Sequence, residues 1–268
     1  MLTLNLASRT IKTDKKAFVM GIVNTTPDSF FKGSRGGFER AMKLVEEGAD
    51  IIDLGAESTR PGSSYISEEE ELHRLLPVLK AIRRVSDVAI SIDTRKKNVM
   101  QAAYDLGADI LNDVSAMSDD SEMVSFVSKS KIPVILMHSV PLSQINLSEE
   151  AVFLEVDNYL RKRAEFALEN GIEKDKIILD PGIGFKKEFT DNISLIKRCG
   201  NLGGGDYKVL MALSRKRCIG EITGRVTDER LAGTLAANLV SVIHGASIIR
   251  VHDVKETIDT LKVLQYTI

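Results

Sequence analysis

One six-residue pattern recurs three times and sets the terms for the whole chain. Gly48-Ala49-Asp50-Ile51-Ile52-Asp53 returns as Gly107-Ala108-Asp109-Ile110-Leu111-Asn112 and as Gly245-Ala246-Ser247-Ile248-Ile249-Arg250. An amphipathic segment precedes each copy, so the glycine reads as a helix terminator and the apolar run as a buried strand. The fifth residue after the glycine is polar every time: Asp53, Asn112 and Arg250. A chain that repeats helix, glycine, strand and then a polar group builds one site from several strand ends.

Between and around the copies the same alternation continues. Strands are predicted at Phe18 to Val23, Ile51 to Leu54, Val88 to Ile92, Ile110 to Leu111, Pro133 to Met137, Ile177 to Leu179, Val209 to Leu213 and Ile248 to Val251. Helices are predicted over about 38–47, from Ser67 onward, and over about 96–106, 120–130, 149–170, 192–199, 229–243 and 254–264. Eight such units at a mean spacing of about 33 residues match the eightfold (β/α)8 barrel, also called the TIM barrel, and no linker divides residues 1–268 into two domains. Ahead of them, Leu2 to Leu6 and Arg9 to Lys12 alternate apolar and polar residues, which predicts an N-terminal β-hairpin lying over one end of the barrel. Gly203 to Gly205 precede a strand, so they read as a flexible connection and not as a phosphate loop.

In such a barrel the chemistry sits at the carboxyl ends of the strands. The exits carry Asn24, Asp53 to Arg60, Asp93, Asn112, Met137 with His138, Asp180 to Phe185, Ser214 to Lys216, and Arg250 with His252. Asp93, Asn112 and Asp180 suit a neutral ligand whose edge offers amidine-like donors, whereas Arg60, Lys216, Arg250 and His252 suit an anion. Blander readings stand beside several of these. Thr26-Pro27-Asp28-Ser29 reads equally as a turn with a helix cap, Asp93 and Asp113 as caps, and Asp180-Pro181-Gly182 as a plain turn. His138 alone reads as a satisfied structural histidine and Met137 as core. Two cations at a helix start, Arg215 and Lys216, oppose the helix dipole and call for an anion. So do Arg250 and His252, two residues apart on one face of a strand.

Composition narrows the class of partner. With 36 Lys and Arg against 38 Asp and Glu the net charge is −2, which gives no basic field for nucleic acid or an anionic membrane. Cys199 and Cys218 form neither a metal-ligand spacing nor a disulfide framework, which suits a reducing cytoplasm. No signal peptide or apolar span is legible, and no Walker loop, G-x-G-x-x-G opening, H-E-x-x-H or C-x-x-C occurs.

Taken in order, six blocks at strand exits resemble those of the dihydropteroate synthase family of pterin-binding barrels. They are Met20-Gly-Ile-Val-Asn-Thr-Thr-Pro-Asp-Ser-Phe30, Glu57-Ser-Thr-Arg-Pro-Gly-Ser-Ser64, Ser91-Ile-Asp-Thr94, Asn112-Asp113, Asp180-Pro-Gly-Ile-Gly-Phe185 with Ser214-Arg-Lys216, and Arg250-Val-His-Asp-Val254. The resemblance implies condensation of 6-hydroxymethyl-7,8-dihydropterin pyrophosphate with p-aminobenzoate to 7,8-dihydropteroate and pyrophosphate. It implies that Asp93, Asn112, Asp180 and Lys216 hold the pterin. Arg60, Arg250 and His252, with Mg²⁺ on Asn24, would stabilise the leaving pyrophosphate; Thr59, Pro61, Phe185, Ser214 and Lys216 would frame p-aminobenzoate. It also implies a homodimer through the last helices.

The chain departs from the family pattern at Thr25, at Phe31-Lys32-Gly33-Ser34, at Ala56 and Ala212, and in the segment after His138. These positions bear on the p-aminobenzoate pocket and its loop. The loop over 25–36 is expected to order only once pyrophosphate and metal are bound. Two other readings are a pterin-dependent methyltransferase, disfavoured by the cations at Lys216, Arg250 and His252, and a non-catalytic pterin-binding barrel.

Overall fold

The computed structural model describes residues 1–25, 36–57, 65–144 and 147–268. Among them a short antiparallel hairpin, β1 (Leu2–Asn5) and β2 (Thr10–Thr13), precedes eight parallel strands: β3 (Phe18–Asn24), β4 (Ile51–Gly55), β5 (Ala89–Asp93), β6 (Ile110–Asp113), β7 (Val134–Met137), β8 (Ile177–Asp180), β9 (Lys208–Met211) and β10 (Ile248–Val251). The eight pair in chain order, and β10 closes on β3 with Ile248 opposite Phe18 and Arg250 opposite Met20. Helices alternate with them: α1 (Gly37–Glu46), α2 (Glu68–Arg83), α3 (Lys97–Asp105), α4 (Met123–Ser130), α5 (Glu149–Glu169), α6 (Phe189–Lys197), α7 (Arg217–Thr223), α8 (Leu231–Ile243) and α9 (Val254–Thr267). The predicted TIM barrel with its N-terminal hairpin is the observed architecture.

The recurring pattern has a structural cause at each of its positions. Gly48 adopts φ +94° and Gly107 φ +93°, the conformation that stops a helix and turns the chain into a strand. The residue after each Gly-Ala pair then fastens its strand to the one before. The backbone N–H of Asp50 donates to Val19 O and its carboxylate accepts from Val19 N; Asp109 makes the same two bonds with Ile90. Ser247 keeps the first of them, to Val209 O. Three strands are thereby set in register before the polar fifth residue is reached.

Strand residues alternate between the barrel interior and the helix-facing side. Toward the amino ends the interior is apolar: Phe18, Met20, Ile51, Ala89, Ile110, Ile135, Ile178, Leu210 and Ile248 pack in one cluster, which Leu4 and Leu6 of the hairpin complete. The hairpin therefore closes the end of the barrel opposite the strand exits. Lys176 fixes it there by donating to Asn5 O at 3.0 Å and Leu6 O at 2.9 Å. Two residues further along the same interior face come Asp53, Asn112, Asp180 and Arg250, so the interior changes from hydrocarbon to charge in one step.

Several boundaries differ from the sequence reading. A two-turn helix, α7, follows Lys216; the sequence places a helix start beside Arg215 and Lys216 but gives it no range, because so short a helix has no periodic signal, and it ends at Gly224, φ +67°. Helix α4 starts at Met123 and not at Asp120, because the Asp120 carboxylate accepts from Lys97 N and Glu122 N. Helix α6 starts at Phe189, fixed by a reciprocal capping box between Glu188 and Asp191. Of Gly203 to Gly205, the first is tied down: Gly203 is buried and donates to Asp157 Oδ1 at 2.6 Å, while Gly204 and Gly205 are exposed.

Candidate active site

Asp53 is fully buried at the centre of the polar layer. Its carboxylate accepts from Arg250 Nε at 2.6 Å and from Asn112 Nδ2 at 3.3 and 3.4 Å. Arg250 reaches further, donating from Nη2 to Asp93 Oδ2 at 3.1 Å. Four residues from β4, β5, β6 and β10 thus form one charged network. Because Asn112 gives its NH2 to Asp53, its carbonyl oxygen is the atom left for a ligand. The other carboxylate oxygen of Asp93 is buried and has no partner among the described residues.

Burial shapes the electrostatics here. It raises the Asp93 carboxyl well above the usual carboxylate range, Arg250 opposing and Asp53 adding to the shift. Burial works against charge on Arg250, but Asp53 and Asp93 outweigh it and raise its pKa. Asp180, at the end of β8, is also raised by burial, with Lys216 the main opposing group. Its Oδ1 accepts from Gly182 N at 2.7 Å.

Lys216 caps the start of α7, and burial lowers its ammonium to about 8 in spite of Asp180. Its Nζ donates to Ile183 O and lies 4.9 Å above the Phe185 ring. Ser214 is buried, its hydroxyl accepting from His252 N at 3.1 Å and lying 2.9 Å from His252 Nδ1. Asn24 ends β3 half-buried, beside Gly55.

Most of the predicted residues described are thus brought to one end of the barrel, with two differences in environment. Arg250 and His252 do not face an empty gap: Arg250 is held by two carboxylates, and the His252 ring by Ser214. Arg215 is not an anion site beside Lys216. It is buried at φ +56°, with a two-pronged pair to Asp253 at 2.9 Å and donation to the carbonyls of Thr227 and Asp228. The anion that the two cations called for is, for Arg215, a carboxylate 38 residues further along the chain. Asp113 ties its own loop, accepting from Ser115 N and Met117 N at 2.8 Å, and burial lifts it to about 6. Thr59, Arg60 and Pro61, with Thr26 to Ser34, lie outside the described residues.

Sequence reasoning passed over several participants. Asp53 stands in the sequence beside Asn112 and Arg250 as a polar repeat residue but is given no role there; its charge, opposite to that of Arg250 at the same repeat position, was the available signal. Lys96, buried, bridges Glu57 and Glu71 at 2.5 Å each, and Arg95 adds to Glu57 at 2.6 Å. Lys187, buried beneath the 180–187 turn, looks in the sequence like one of two solvent-facing lysines. Nothing in the pattern marks it out.

Among the described residues no group of three or more His, Cys, Asp or Glu is placed to hold a metal ion. A single amide oxygen at Asn24 would fit a hard cation such as Mg²⁺ only with oxygens from a ligand and from water beside it.

Acceptors from four strands, Asp53, Asp93, Asn112 and Asp180, thus meet at one end of the barrel beside the Lys216 ammonium, and comparison with known proteins agrees. Residues 20–252 match the family model described as "Pterin binding enzyme". The chain is 38% identical over 247 residues to the dihydropteroate synthase of Bacillus subtilis, covering 90% of this chain and 85% of that protein. A solved structure of Xanthomonas albilineans dihydropteroate synthase with 4-aminobenzoic acid superposes with a TM-score of 0.90 at 40% identity, covering 98% of this chain and 97% of the other. That of Coxiella burnetii dihydropteroate synthase in complex with pteroic acid gives 0.90 at 35%, covering 100% and 99%.

Proposed function

The chain belongs to the pterin-binding enzyme family and is a transferase of the dihydropteroate synthase type, and from that premise we propose how its own residues divide the reaction. The substrates are 6-hydroxymethyl-7,8-dihydropterin pyrophosphate and p-aminobenzoate; the products are 7,8-dihydropteroate and pyrophosphate. Residues 1–268 work as one barrel unit. The observation that carries the assignment of roles is the convergence of Asp93, Asn112 and Asp180, acceptors from three strands, on one interior layer with Lys216.

The carboxylates of Asp180 and Asp93 and the Asn112 carbonyl take the N–H donors of the pterin edge, while Lys216 donates to its carbonyl side. The carbon–oxygen bond at the pterin methylene breaks, the electron pair leaves with pyrophosphate, and the arylamine nitrogen forms the new bond and then loses a proton. Arg250 and His252, with Arg60, face the departing anion. Arg250 is the best prepared of them, since two carboxylates hold its guanidinium before substrate arrives and little reorganisation is left to make. Mg²⁺ on Asn24 would neutralise part of the pyrophosphate charge. Phe185, Ser214 and Lys216, with Thr59 and Pro61, frame p-aminobenzoate.

Pyrophosphate and Mg²⁺ complete the arylamine pocket, so p-aminobenzoate binds measurably only in their presence. Calorimetric titration of p-aminobenzoate with and without them tests this; equal affinity in the two titrations contradicts it. Arg250→Ala weakens the assisted binding and spares that of the pterin ring.

Two properties of the whole molecule belong to the same reading. Ile222, Val226, Val240 and Ile243 are exposed apolar residues on and around α7 and α8, which supports a homodimer through the last helices. Both cysteines are buried and unpaired, which supports a reducing, cytoplasmic location. Its partners in this reading are the two small-molecule substrates.

A further inference from the structure

The Lys187 side chain is buried, 4% exposed, and lies under the turn that follows β8. Its Nζ stands 3.0 Å from His138 O, 3.1 Å from Gly182 O, 3.2 Å from Phe185 O and 2.9 Å from His138 Nδ1. Three backbone carbonyls and an imidazole nitrogen are more acceptors than three N–H groups can serve singly, which favours the full ammonium over the amine. His138 is suited to accept: burial and the neighbouring Lys187 hold its pKa down to about 3, so the ring is neutral and Nδ1 keeps its lone pair. The ring packs edge-on against Tyr159, with centroids 4.8 Å apart.

These contacts join two strand exits. His138 follows β7, and Gly182 and Phe185 belong to the turn after β8. The approach is close enough to require glycine at 182, where φ is +66° and an added Cβ would stand 2.0 Å from His138 O. From the far side Asn192 closes the same turn, accepting from Gly184 N at 2.7 Å and donating to Glu188 O at 2.7 Å. The turn so held offers Lys216 its two contacts, the Ile183 carbonyl and the Phe185 ring.

We propose that Lys187 is a positioning residue for the transfer reaction: it fixes the 182–187 turn against His138, and the turn in turn aims Lys216 and Phe185 at the arylamine. The proposal rests on the reading of Lys216 and Phe185 as substrate-facing. Lys187 itself touches no reacting atom. Burial pulls its ammonium down to about 7, with Asp180 and Asp191 favouring the charge and Lys216 opposing it, so the ring of acceptors around Nζ is what holds the charged form. The pterin acceptors Asp93 and Asn112 stand on strand ends away from the turn, and Asp180, fixed by its place at the end of β8, meets it only through the bond from Gly182 N to Oδ1.

Lys187→Met keeps the aliphatic stem and removes every donor. With this variant KM for p-aminobenzoate should rise about ten- to a hundredfold, since a misplacement of about 1 Å costs that order, while kcat falls less and the pterin dissociation constant stays within about twofold. Lys187→Gln, which retains two donors, should recover part of the loss. Unchanged KM for p-aminobenzoate, or equal losses for both substrates, would overturn the proposal. If Lys187→Met does not fold, amide exchange in the wild-type protein decides. Phe185 N–H, which donates to Gly182 O, should exchange as slowly as the amides of β8 without any ligand; exchange at the rate of an exposed loop contradicts the lock. A wild-type protein that forms no dihydropteroate would instead remove the reading on which the proposal rests, and the exchange result would stand apart from it.

Discussion

Asp53 and Arg250 are 197 residues apart in the chain and meet inside the barrel at 2.6 Å, each at the same position of a recurring strand-entry pattern. The pair makes one carboxylate responsible for two groups, since Asp53 also turns the Asn112 amide. It gives Arg250 a fixed direction before substrate arrives. A cation aimed at a leaving group is effective to the extent that it need not move during the reaction.

Asp53→Asn tests that dependence. The new amide presents an N–H group toward Arg250 and Asn112, both donors, and leaves buried hydrogen-bonding capacity unmet. The expected cost is about 1–3 kcal/mol of stability, read by urea unfolding, together with a loss of at least about tenfold in kcat/KM as the guanidinium loses its aim. Full activity with intact stability would show that Asp93 alone positions Arg250.

Asp180→Asn separates pterin recognition from fold. Asp180 Oδ1 already accepts from Gly182 N, and an asparagine that preserves this bond must turn its NH2 toward the ligand's own donors. Each charge-assisted bond lost is worth about 1.5–3 kcal/mol, so calorimetry should record at least about a tenfold weaker pterin. Unchanged affinity would remove Asp180 from the site.

The pH dependence follows from Lys216. Burial lowers its ammonium to about 8 in the free protein, and the reaction needs the charged form, so kcat/KM for the pterin substrate should fall as pH rises through about 8. The same shift has the opposite sign for stability. The unfolded chain, at 10.5, binds the proton more tightly, so Lys216 makes the free protein more stable as pH rises between about 8 and 10.5. Replacing Lys216 by Met should abolish the first limb and flatten the second. A pH–rate profile unaltered in that variant would assign the limb to another group.

How much of this was legible in the sequence depends on whether a feature is local. The barrel, the hairpin and the set of exits follow from helix, glycine and strand repeating in order, and each repeat can be read within its own few residues. Arg215 could not be placed that way: two adjacent cations at a helix start look alike, and only the return of Asp253 from β10's exit turns one of them into a structural clamp. Lys186 and Lys187 present the same problem, being neighbours of which one is exposed and the other buried against His138. Helix α7 could be placed at its start, beside Lys216, but not bounded, because two turns carry too few apolar positions to display a period.

The proposed Mg²⁺ role turns on Asn24. If its amide oxygen is the protein's one contribution to the shell, Asn24→Ala should raise the Mg²⁺ concentration needed for half-maximal turnover by about tenfold, in line with the loss of one charge-assisted contact. Pterin binding without pyrophosphate should be unaffected. Full turnover in excess chelator would contradict a metal role altogether.

A barrel end that holds the pterin on its acceptors while a set of cations releases its pyrophosphate to an arylamine can be tested by mixing the purified protein with 6-hydroxymethyl-7,8-dihydropterin pyrophosphate, p-aminobenzoate and Mg²⁺ and following pyrophosphate and dihydropteroate together. The two should appear in equal amounts, neither should appear when either organic substrate is omitted, and Arg250→Ala should slow both alike. Tight pterin binding with no pyrophosphate released would mean that the barrel binds without turning over, and pyrophosphate released without p-aminobenzoate consumed would mean that the second substrate is not an arylamine.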